Sequence, residues 1–245
     1  METQILRAKE DKSINLVTST PDGGFIESRF VQRQEDIIIV YLSSATGCDK
    51  SCRFCWLTQS NQTMTNYVDV NGYLDQAEHV LNLLKEENKI GNASIVHFNF
   101  MARGDALANP FFVKNTQAII LGLNWLGYKY GLKSKFKISS IFPKTDIFGH
   151  VAFDLNKWVK QTLTIHPEIE FYYSLYSLDS AFRKRWIPKA MDPNWVGEAF
   201  CGTTNKLRLH HALIKDENTS ISHLDYIGKW LSKHKINCHL NIVRY

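Results

Sequence analysis

The pattern of hydrophobic and polar residues predicts a chain in which β-strands and α-helices alternate. Near the N-terminus, two segments with alternating apolar residues flank the turn sequence Pro21-Asp22-Gly23-Gly24, which predicts a β-hairpin over residues 13–33. Residues 1–12 are polar, and we expect them to order late or not at all. The predicted domains are an N-terminal tail and β-hairpin extension over residues 1–33 and a core domain over residues 34–245.

Six further segments are rich in β-branched and aromatic residues, as is typical of buried strands. These predicted strands cover residues 36–42, 94–100, 136–141, 168–175, 207–214 and 237–243. Predicted helices cover residues 69–88, 110–131, 149–162, 179–186, 193–200 and 220–234. Because strands and helices alternate, we expect parallel strands joined by right-handed crossovers. The predicted fold class is α/β, with six units forming a partial (β/α)6 barrel that is open on one side.

The composition is that of an ordinary globular protein. The 245 residues are enough for one large α/β domain, and a hydrophobic content of 44% supports a sizeable core. No apolar run reaches about 18 residues, so we expect no transmembrane helix and no membrane partner. The first residues lack the pattern of a secretory signal. The net charge of +5 is a mild bias toward anionic partners.

Three of the five cysteines lie within eight residues, at Cys48, Cys52 and Cys55. They follow the predicted strand 36–42, so they would lie at the C-terminal end of a strand, where α/β folds place their chemistry. Thiolates with this spacing can converge on one inorganic centre. Three thiolates leave one iron of a four-iron cluster open to a small chelating cofactor.

A structural zinc site is the alternative use of the same cysteines. Zinc sites usually combine two Cys-x2-Cys pairs or add a pair of histidines. The other two cysteines, Cys201 and Cys238, are isolated, and for Cys238 a buried, inert thiol is the simpler interpretation. The odd number of cysteines argues against a secreted disulfide scaffold and favours the cytoplasm.

The spacing Cys-x3-Cys-x2-Cys, with the aromatic residue Phe54 before the last cysteine, resembles that of the radical S-adenosylmethionine (SAM) superfamily. The resemblance implies an enzyme that uses a [4Fe-4S] cluster to cleave SAM reductively and to generate a 5′-deoxyadenosyl radical. It also implies an electron donor such as flavodoxin or ferredoxin.

Three motifs narrow the resemblance to the radical SAM adenosine-C2 methyltransferases that modify RNA. They are the Ser-Ser-x-x-Gly-Cys sequence at 43–48, the loop at 101–109, and the Ser-Leu-Tyr turn at 174–176 followed by residues 183–188. By this resemblance Gly104 and Asp105 hold the SAM amino group, and the metal ligands are Cys48, Cys52 and Cys55. The remaining implied SAM-binding residues are Ser139, Ser174 and Tyr176.

The sequence also departs from that family. The family transfers its methyl group with two further cysteines, and Tyr41 stands where one of them should be. The chain ends at Tyr245, before the position of the second, and the family's N-terminal helical RNA-binding domain has no counterpart. Tyr176 replaces a histidine of the family. We therefore expect SAM cleavage without adenosine methylation by the two-cysteine mechanism.

Several other residues and functions have alternative interpretations. Arg183, Lys184, Arg185 and Lys189 either face RNA phosphates or form a solvated helix face. His210 and His211 point to opposite sides of a predicted strand. Phe54 and Trp56 either shield the cluster or pack ordinarily. Two alternative functions remain open, namely a zinc-stabilised nucleic-acid-binding module and a SAM-binding homologue without turnover.

Overall fold

The computed structural model of the chain describes residues 2–144 and 155–244, and it has a mixed α/β fold. Within these residues the strands are β1 (Thr3–Arg7), β2 (Ile14–Ser19), β3 (Phe25–Gln34), β4 (Ile37–Tyr41), β5 (Ile95–Phe100), β6 (Lys133–Ser140), β7 (Ile169–Tyr173), β8 (Thr204–Leu213) and β9 (Asn237–Arg244). The helices are α1 (Trp56–Gln59), α2 (Val70–Glu86), α3 (Pro110–Lys114), α4 (Thr116–Lys129), α5 (Leu155–Ile165), α6 (Ser180–Trp186), α7 (Pro193–Ala199) and α8 (Ile221–Lys233). A short 3-10 helix covers Ala106–Ala108.

The chain divides into two compact units. The first unit comprises Met1–Cys48 and Met64–Ile138, and the second comprises Asp49–Thr63 and Ser139–Tyr245. Each unit contains parallel strands and the helices that pack on them.

In the first unit, strands β1 to β4 are antiparallel and β4, β5 and β6 are parallel. The predicted hairpin is present as β2 and β3, with Ile14 opposite Phe30. The expectation that residues 1–12 order late or not at all is wrong for β1, which pairs along its length with β2. All five residues of β1 are exposed, so backbone pairing rather than apolar burial fixes this strand.

Helices α2, α3 and α4 cover one face of the parallel strands in this unit. Asp69 caps the N-terminus of helix α2, since its side chain accepts a hydrogen bond from Gly72 N, and the helix buries residues at helical spacing. The ring of Tyr73 on α2 packs edge-to-face against Phe100 of β5, with centroids 5.5 Å apart. The predicted single helix at 110–131 is two helices, because the chain leaves helical geometry at Asn115.

In the second unit, β7, β8 and β9 are parallel, as predicted. Helix α5 packs against α7 and β7. Asp179 caps the N-terminus of α6, since its carboxylate accepts a hydrogen bond from Phe182 N at 2.6 Å. Residues 149–154 of the predicted helix 149–162 lie outside the described residues. The described part of that helix extends to Ile165.

Candidate functional site

The segment that follows β4 in the first unit is fixed by buried hydrogen bonds to Ser43. Gln76 of α2 brackets the Ser43 peptide, since its Oε1 accepts from Ser43 N at 2.8 Å and its Nε2 donates to Ser43 O at 3.1 Å. The Ser43 hydroxyl donates to the carbonyl of Glu27 on β3 at 2.6 Å and accepts from Glu27 N at 2.9 Å. The chain that leads into Cys48 is therefore held on both sides.

The loop after β5 contains the residues implied for the SAM amino group. Gly104 has a φ of +79°, and a Cβ there would lie 3.0 Å from both Cβ and N of Ala45. A larger residue would be strained in that backbone conformation and would collide with the segment after β4. Glycine at this position thus lets two loops of the first unit approach closely.

Arg103 ties the same loop to the same segment. Its guanidinium is buried and donates to the carbonyl of Thr46 through Nε at 3.0 Å and Nη2 at 2.6 Å. Nη1 forms a salt bridge with Glu27 at 3.0 Å. The Arg103 carbonyl accepts from Ser44 N at 2.7 Å. The sequence motif contained Arg103, but its role depends on contacts with residues 57 and 76 positions away.

The loop ends with two side chains that cap helices. Asp105 Oδ1 accepts from Leu107 N at 3.0 Å, so its carboxylate caps the short 3-10 helix. Asn109 Oδ1 accepts from Phe111 N at 2.8 Å, while its Nδ2 donates to the carbonyls of Ser44 at 2.9 Å and Val68 at 2.7 Å. Asn109 is fully buried, and sequence reasoning assigned it no role.

The cysteine loop in the second unit forms a tight turn. Cys55 N donates to Cys52 O at 2.9 Å, and Ser51 before it has a φ of +58°. Arg53 N donates to the carbonyl of Trp186, and the guanidinium of Arg53 lies over the Trp186 ring, 5.0 Å from its centroid. These contacts fix the turn to the end of α6.

Tyr176 lies beside this turn, after β7. Its ring is buried and packs edge-to-face against Phe54, with centroids 4.6 Å apart. Burial raises the pKa of Tyr176 to about 12, a hydrogen bond from the Ser174 side chain lowers it, and negative charge on Cys52 and Cys55 raises it. The structure thus brings together four of the residues predicted for cofactor or metal binding. They are Cys52, Cys55, Ser174 and Tyr176.

Tyr176 adopts left-handed backbone geometry, with a φ of +55°. This geometry is uncommon for a residue other than glycine and asparagine, and such residues concentrate at functional sites. Two side chains hold the peptide in place, since Asn218 Nδ2 and His223 Nε2 lie 2.8 Å and 3.1 Å from the Tyr176 carbonyl. Sequence reasoning missed both residues.

Arg183 neither faces solvent nor lies where RNA phosphates could reach it, so both sequence-based interpretations of this residue are wrong. Its side chain is buried and donates to the carbonyls of Leu175 at 2.9 Å, Ser177 at 3.1 Å and Met191 at 2.8 Å. It clamps the turn that carries Tyr176. Lys189 is exposed and lies 3.4 Å from Asp49, as an ion pair.

The remaining residues singled out in the sequence differ in how deeply they are buried. Trp56 is 70% exposed, so of the two aromatic residues proposed to shield a cluster only Phe54 is packed inside. Ser139 lies half-buried on β6. His211 is buried and His210 is half-buried, consistent with their predicted positions on opposite faces of β8.

The thiols of Cys48, Cys52 and Cys55 have the chemistry of cluster ligands. None of the three is in a disulfide, Cys52 is buried, and Cys48 and Cys55 are half-buried. The Cys52–Cys55 turn is lined by the apolar residues Phe54, Ile141 and Trp186, which limit the access of water. In the described part of the chain, no three His, Cys, Asp or Glu side chains are arranged as a metal site. The ligand set Cys48, Cys52 and Cys55 therefore stays a prediction.

No helix among the described residues is long and apolar enough to cross a membrane. No protein-family profile matches the chain, and no curated protein sequence is significantly similar to it. Its similarity to known proteins is structural.

A radical SAM methyltransferase from Sphaerobacter thermophilus superimposes with a TM-score of 0.68 at 16% identity, covering 98% of this chain and 66% of that one. The cobalamin-dependent S-adenosylmethionine radical enzyme OxsB in its apo form gives a TM-score of 0.50 at 15% identity, covering 88% of this chain and 32% of that one. The chain thus spans about two thirds of the first protein and one third of the second. At these identities the similarity concerns the fold, and the chain has the mixed α/β fold of radical SAM enzymes.

Proposed function

We propose that this chain is a radical SAM enzyme that binds a [4Fe-4S] cluster through Cys48, Cys52 and Cys55. One observation carries the proposal. The Cys-x3-Cys-x2-Cys sequence begins seven residues after the end of β4 in a chain that has the fold of radical SAM enzymes. The residues 34–245 would form the core domain, with β4 to β9 as the six strands of a partial barrel.

In this proposal the [4Fe-4S] cluster supplies the redox chemistry, and the protein supplies the binding site. A reduced [4Fe-4S] cluster supplies the electron that cleaves SAM to methionine and a 5′-deoxyadenosyl radical. The protein holds the cofactors and excludes water from them. Phe54 and Tyr176 contribute by packing against each other beside Cys52 and Cys55.

The SAM-binding residues follow from the resemblance together with their surroundings. By the resemblance, Gly104 would let the backbone approach SAM, and the carboxylate of Asp105 would accept hydrogen bonds from the SAM ammonium. The hydroxyls of Ser139, Ser174 and Tyr176 would bind the carboxylate or the ribose of SAM. An electron donor such as flavodoxin or ferredoxin and a cytoplasmic location complete the proposal.

The reaction on the substrate differs from adenosine-C2 methylation by two cysteines. Tyr41, the last residue of β4, occupies the position of one of the thiols that the family uses. A phenol cannot replace a thiol as the group that forms the covalent adduct of this chemistry. We infer that the enzyme cleaves SAM without this two-cysteine chemistry. The resemblance to RNA-modifying enzymes implies RNA as a substrate.

Anaerobic reconstitution with iron and sulfide tests the proposal. The wild-type chain should bind about four irons and, with SAM and dithionite, release 5′-deoxyadenosine. Cys52→Ala should abolish cluster assembly, whereas Cys201→Ala, at an exposed position, should not. A colourless protein with one zinc per chain would instead identify a zinc-stabilised module. Iron and SAM binding without 5′-deoxyadenosine would identify a homologue without turnover.

A further inference from the structure

One face of the parallel strands in the first unit is unusually polar. Side chains alternate between the two faces of a strand, so cross-strand register determines which residues share a face. Ile39 pairs with His97 and His97 with Lys135, while Tyr41 pairs with Asn99 and Asn99 with Lys137. We call the five polar residues of these two rows, Tyr41, His97, Asn99, Lys135 and Lys137, the polar strand face.

The opposite face of the same strands is a conventional apolar core. Val96, Phe98 and Phe136 are fully buried there, and the rings of Phe98 and Phe136 stack at 5.9 Å. Helix α4 packs on it so closely that a Cβ at Gly127 would lie 3.3 Å from Cγ1 of Val96. Strands of parallel sheets normally carry apolar residues on both faces. The polar strand face departs from this pattern.

Asn99 supplies an independent sign of a ligand. Its side chain is only 3% exposed, and its Oδ1 has no hydrogen-bond partner among the described residues. Its main-chain carbonyl, in contrast, accepts from Leu42 N at 2.8 Å and from Met101 N at 3.0 Å. A buried acceptor without a partner is costly, and a ligand hydroxyl or amine would satisfy it.

The spacing of the charges indicates what the ligand carries. Lys135 and Lys137 lie two residues apart on one strand, so their Cα atoms are separated by about 6.6 Å along it. Asn99 pairs with Lys137 on the neighbouring strand, about 4.8 Å away. A phosphate dianion has enough oxygens and charge to contact two lysines, which act as point charges. Both lysines are half-buried, where salt screens a charge less than at the surface.

We propose that the polar strand face binds a small phosphorylated substrate, with its phosphate at Lys135 and Lys137 and a neighbouring hydroxyl at Asn99. This assignment rests on the proposed function and deepens it, because it names a small phosphorylated compound, in place of the RNA that the resemblance implies, as the substrate on which the radical would act. The site itself lies entirely within the first unit.

Isothermal titration calorimetry of the full chain with ribose 5-phosphate, inorganic phosphate and ribose tests this site. Ribose 5-phosphate should bind more tightly than inorganic phosphate. Ribose should bind at least about tenfold more weakly than ribose 5-phosphate, because it cannot form a charge-assisted hydrogen bond to a lysine. Lys135→Gln and Lys137→Gln should each weaken ribose 5-phosphate binding by about tenfold.

The same strand provides the matched control. Lys133 lies on the same face but at the start of β6, where it is exposed, so Lys133→Gln should leave binding unchanged. Lys135→Arg and Lys137→Arg should retain binding, and thermal melts should show that all variants fold. Asn99→Ala should weaken the binding of ribose 5-phosphate but not that of inorganic phosphate.

Any of the following three binding results on small ligands would overturn the assignment. They are equal binding of ribose and ribose 5-phosphate, no binding of either phosphate compound at millimolar concentration, and an equal loss in Lys133→Gln. Lysine-dependent binding of an RNA oligonucleotide but not of ribose 5-phosphate would also overturn it. Iron content and SAM cleavage, measured on the same proteins, separate the two proposals. If the chain cleaves SAM but shows no lysine-dependent binding of ribose 5-phosphate, only the phosphate site is rejected. If it binds ribose 5-phosphate but assembles no cluster, only the proposal of a radical SAM enzyme is rejected.

Discussion

The ring of Tyr176 packs edge-to-face against the ring of Phe54, with centroids 4.6 Å apart, and so fastens the cysteine turn to the end of β7. This pair should contribute a measurable coupling to folding. In a double-mutant cycle with Phe54→Leu and Tyr176→Leu, we expect a coupling of about 0.5–1.5 kcal/mol in the free energy of unfolding from urea denaturation.

A neighbouring aromatic residue gives the control for this cycle. Trp56 is 70% exposed, so Phe54→Leu and Trp56→Leu should be additive. Additivity of Phe54→Leu and Tyr176→Leu would show that the two rings do not stabilise one another.

The second prediction concerns Arg183, whose guanidinium donates to three carbonyls of buried turns. Arg183→Ala leaves these acceptors without a donor, and each unsatisfied buried group costs about 1–3 kcal/mol. We expect a loss of about 3 kcal/mol in the free energy of unfolding. Arg185→Ala removes only an exposed ion pair with Glu217 and should cost less than about 1 kcal/mol. If Arg183→Ala and Arg185→Ala lowered the free energy of unfolding equally, the hydrogen bonds of Arg183 would not stabilise the turn.

The sequence was sufficient to predict the strands and helices that carry a strong apolar pattern. The six predicted core strands are all present. The apolar residues of β4, β5 and β7 are largely buried, whereas Leu240, Ile242 and Val243 of β9 are exposed. Strand β1 has no such pattern, since its side chains are exposed; it pairs with β2 through the backbone and one side-chain hydrogen bond between Thr3 and Thr18. An edge strand of this kind leaves little trace in hydrophobicity.

For the candidate site too, local features could be predicted from the sequence and contacts between distant residues could not. The cysteine spacing is local and could be recognised from the sequence. The contacts of Gln76 with Ser43, of Asn109 with Ser44 and of Asn218 with Tyr176 join residues 33, 65 and 42 positions apart. No local pattern predicts such contacts. The polar alternation at Lys135 and Lys137 was visible, but its meaning required the register between strands.

The third prediction concerns pH and His211. This side chain is buried on β8, and burial lowers its pKa to about 4, with the nearby His223 and His210 acting in the same direction. In the unfolded chain the pKa is about 6.5. Between these values the unfolded state binds more protons, so stability is complete above about pH 6.5 and falls as the pH drops toward 4.

A pKa difference of this size corresponds to a loss of about 3 kcal/mol over that range. His211→Phe cannot take up this proton, so its urea midpoint should vary less between pH 7 and pH 4.5 than that of the wild type. His79→Gln, at an exposed position on α2, should follow the wild-type curve. Parallel curves for His211→Phe and the wild type would exclude His211 as a source of acid sensitivity.

The last prediction separates two roles of Asp105. Its Oδ1 accepts a hydrogen bond from Leu107 N at 3.0 Å, which caps the 3-10 helix, and we propose that the carboxylate also binds the SAM ammonium. Asp105→Asn keeps an acceptor oxygen for the cap but removes the charge. It should therefore retain its stability and weaken SAM binding about ten- to a hundredfold, the effect of losing one charge-assisted hydrogen bond.

Asp105→Ala removes both the cap and the charge, so it should also lose about 1 kcal/mol of stability. SAM affinity is measured by equilibrium dialysis on the reconstituted protein, and stability by thermal melting. If Asp105→Asn binds SAM as tightly as the wild type, the carboxylate serves only as a helix cap. The SAM ammonium must then be bound by another group, because a cation of this kind needs an acceptor once water is excluded.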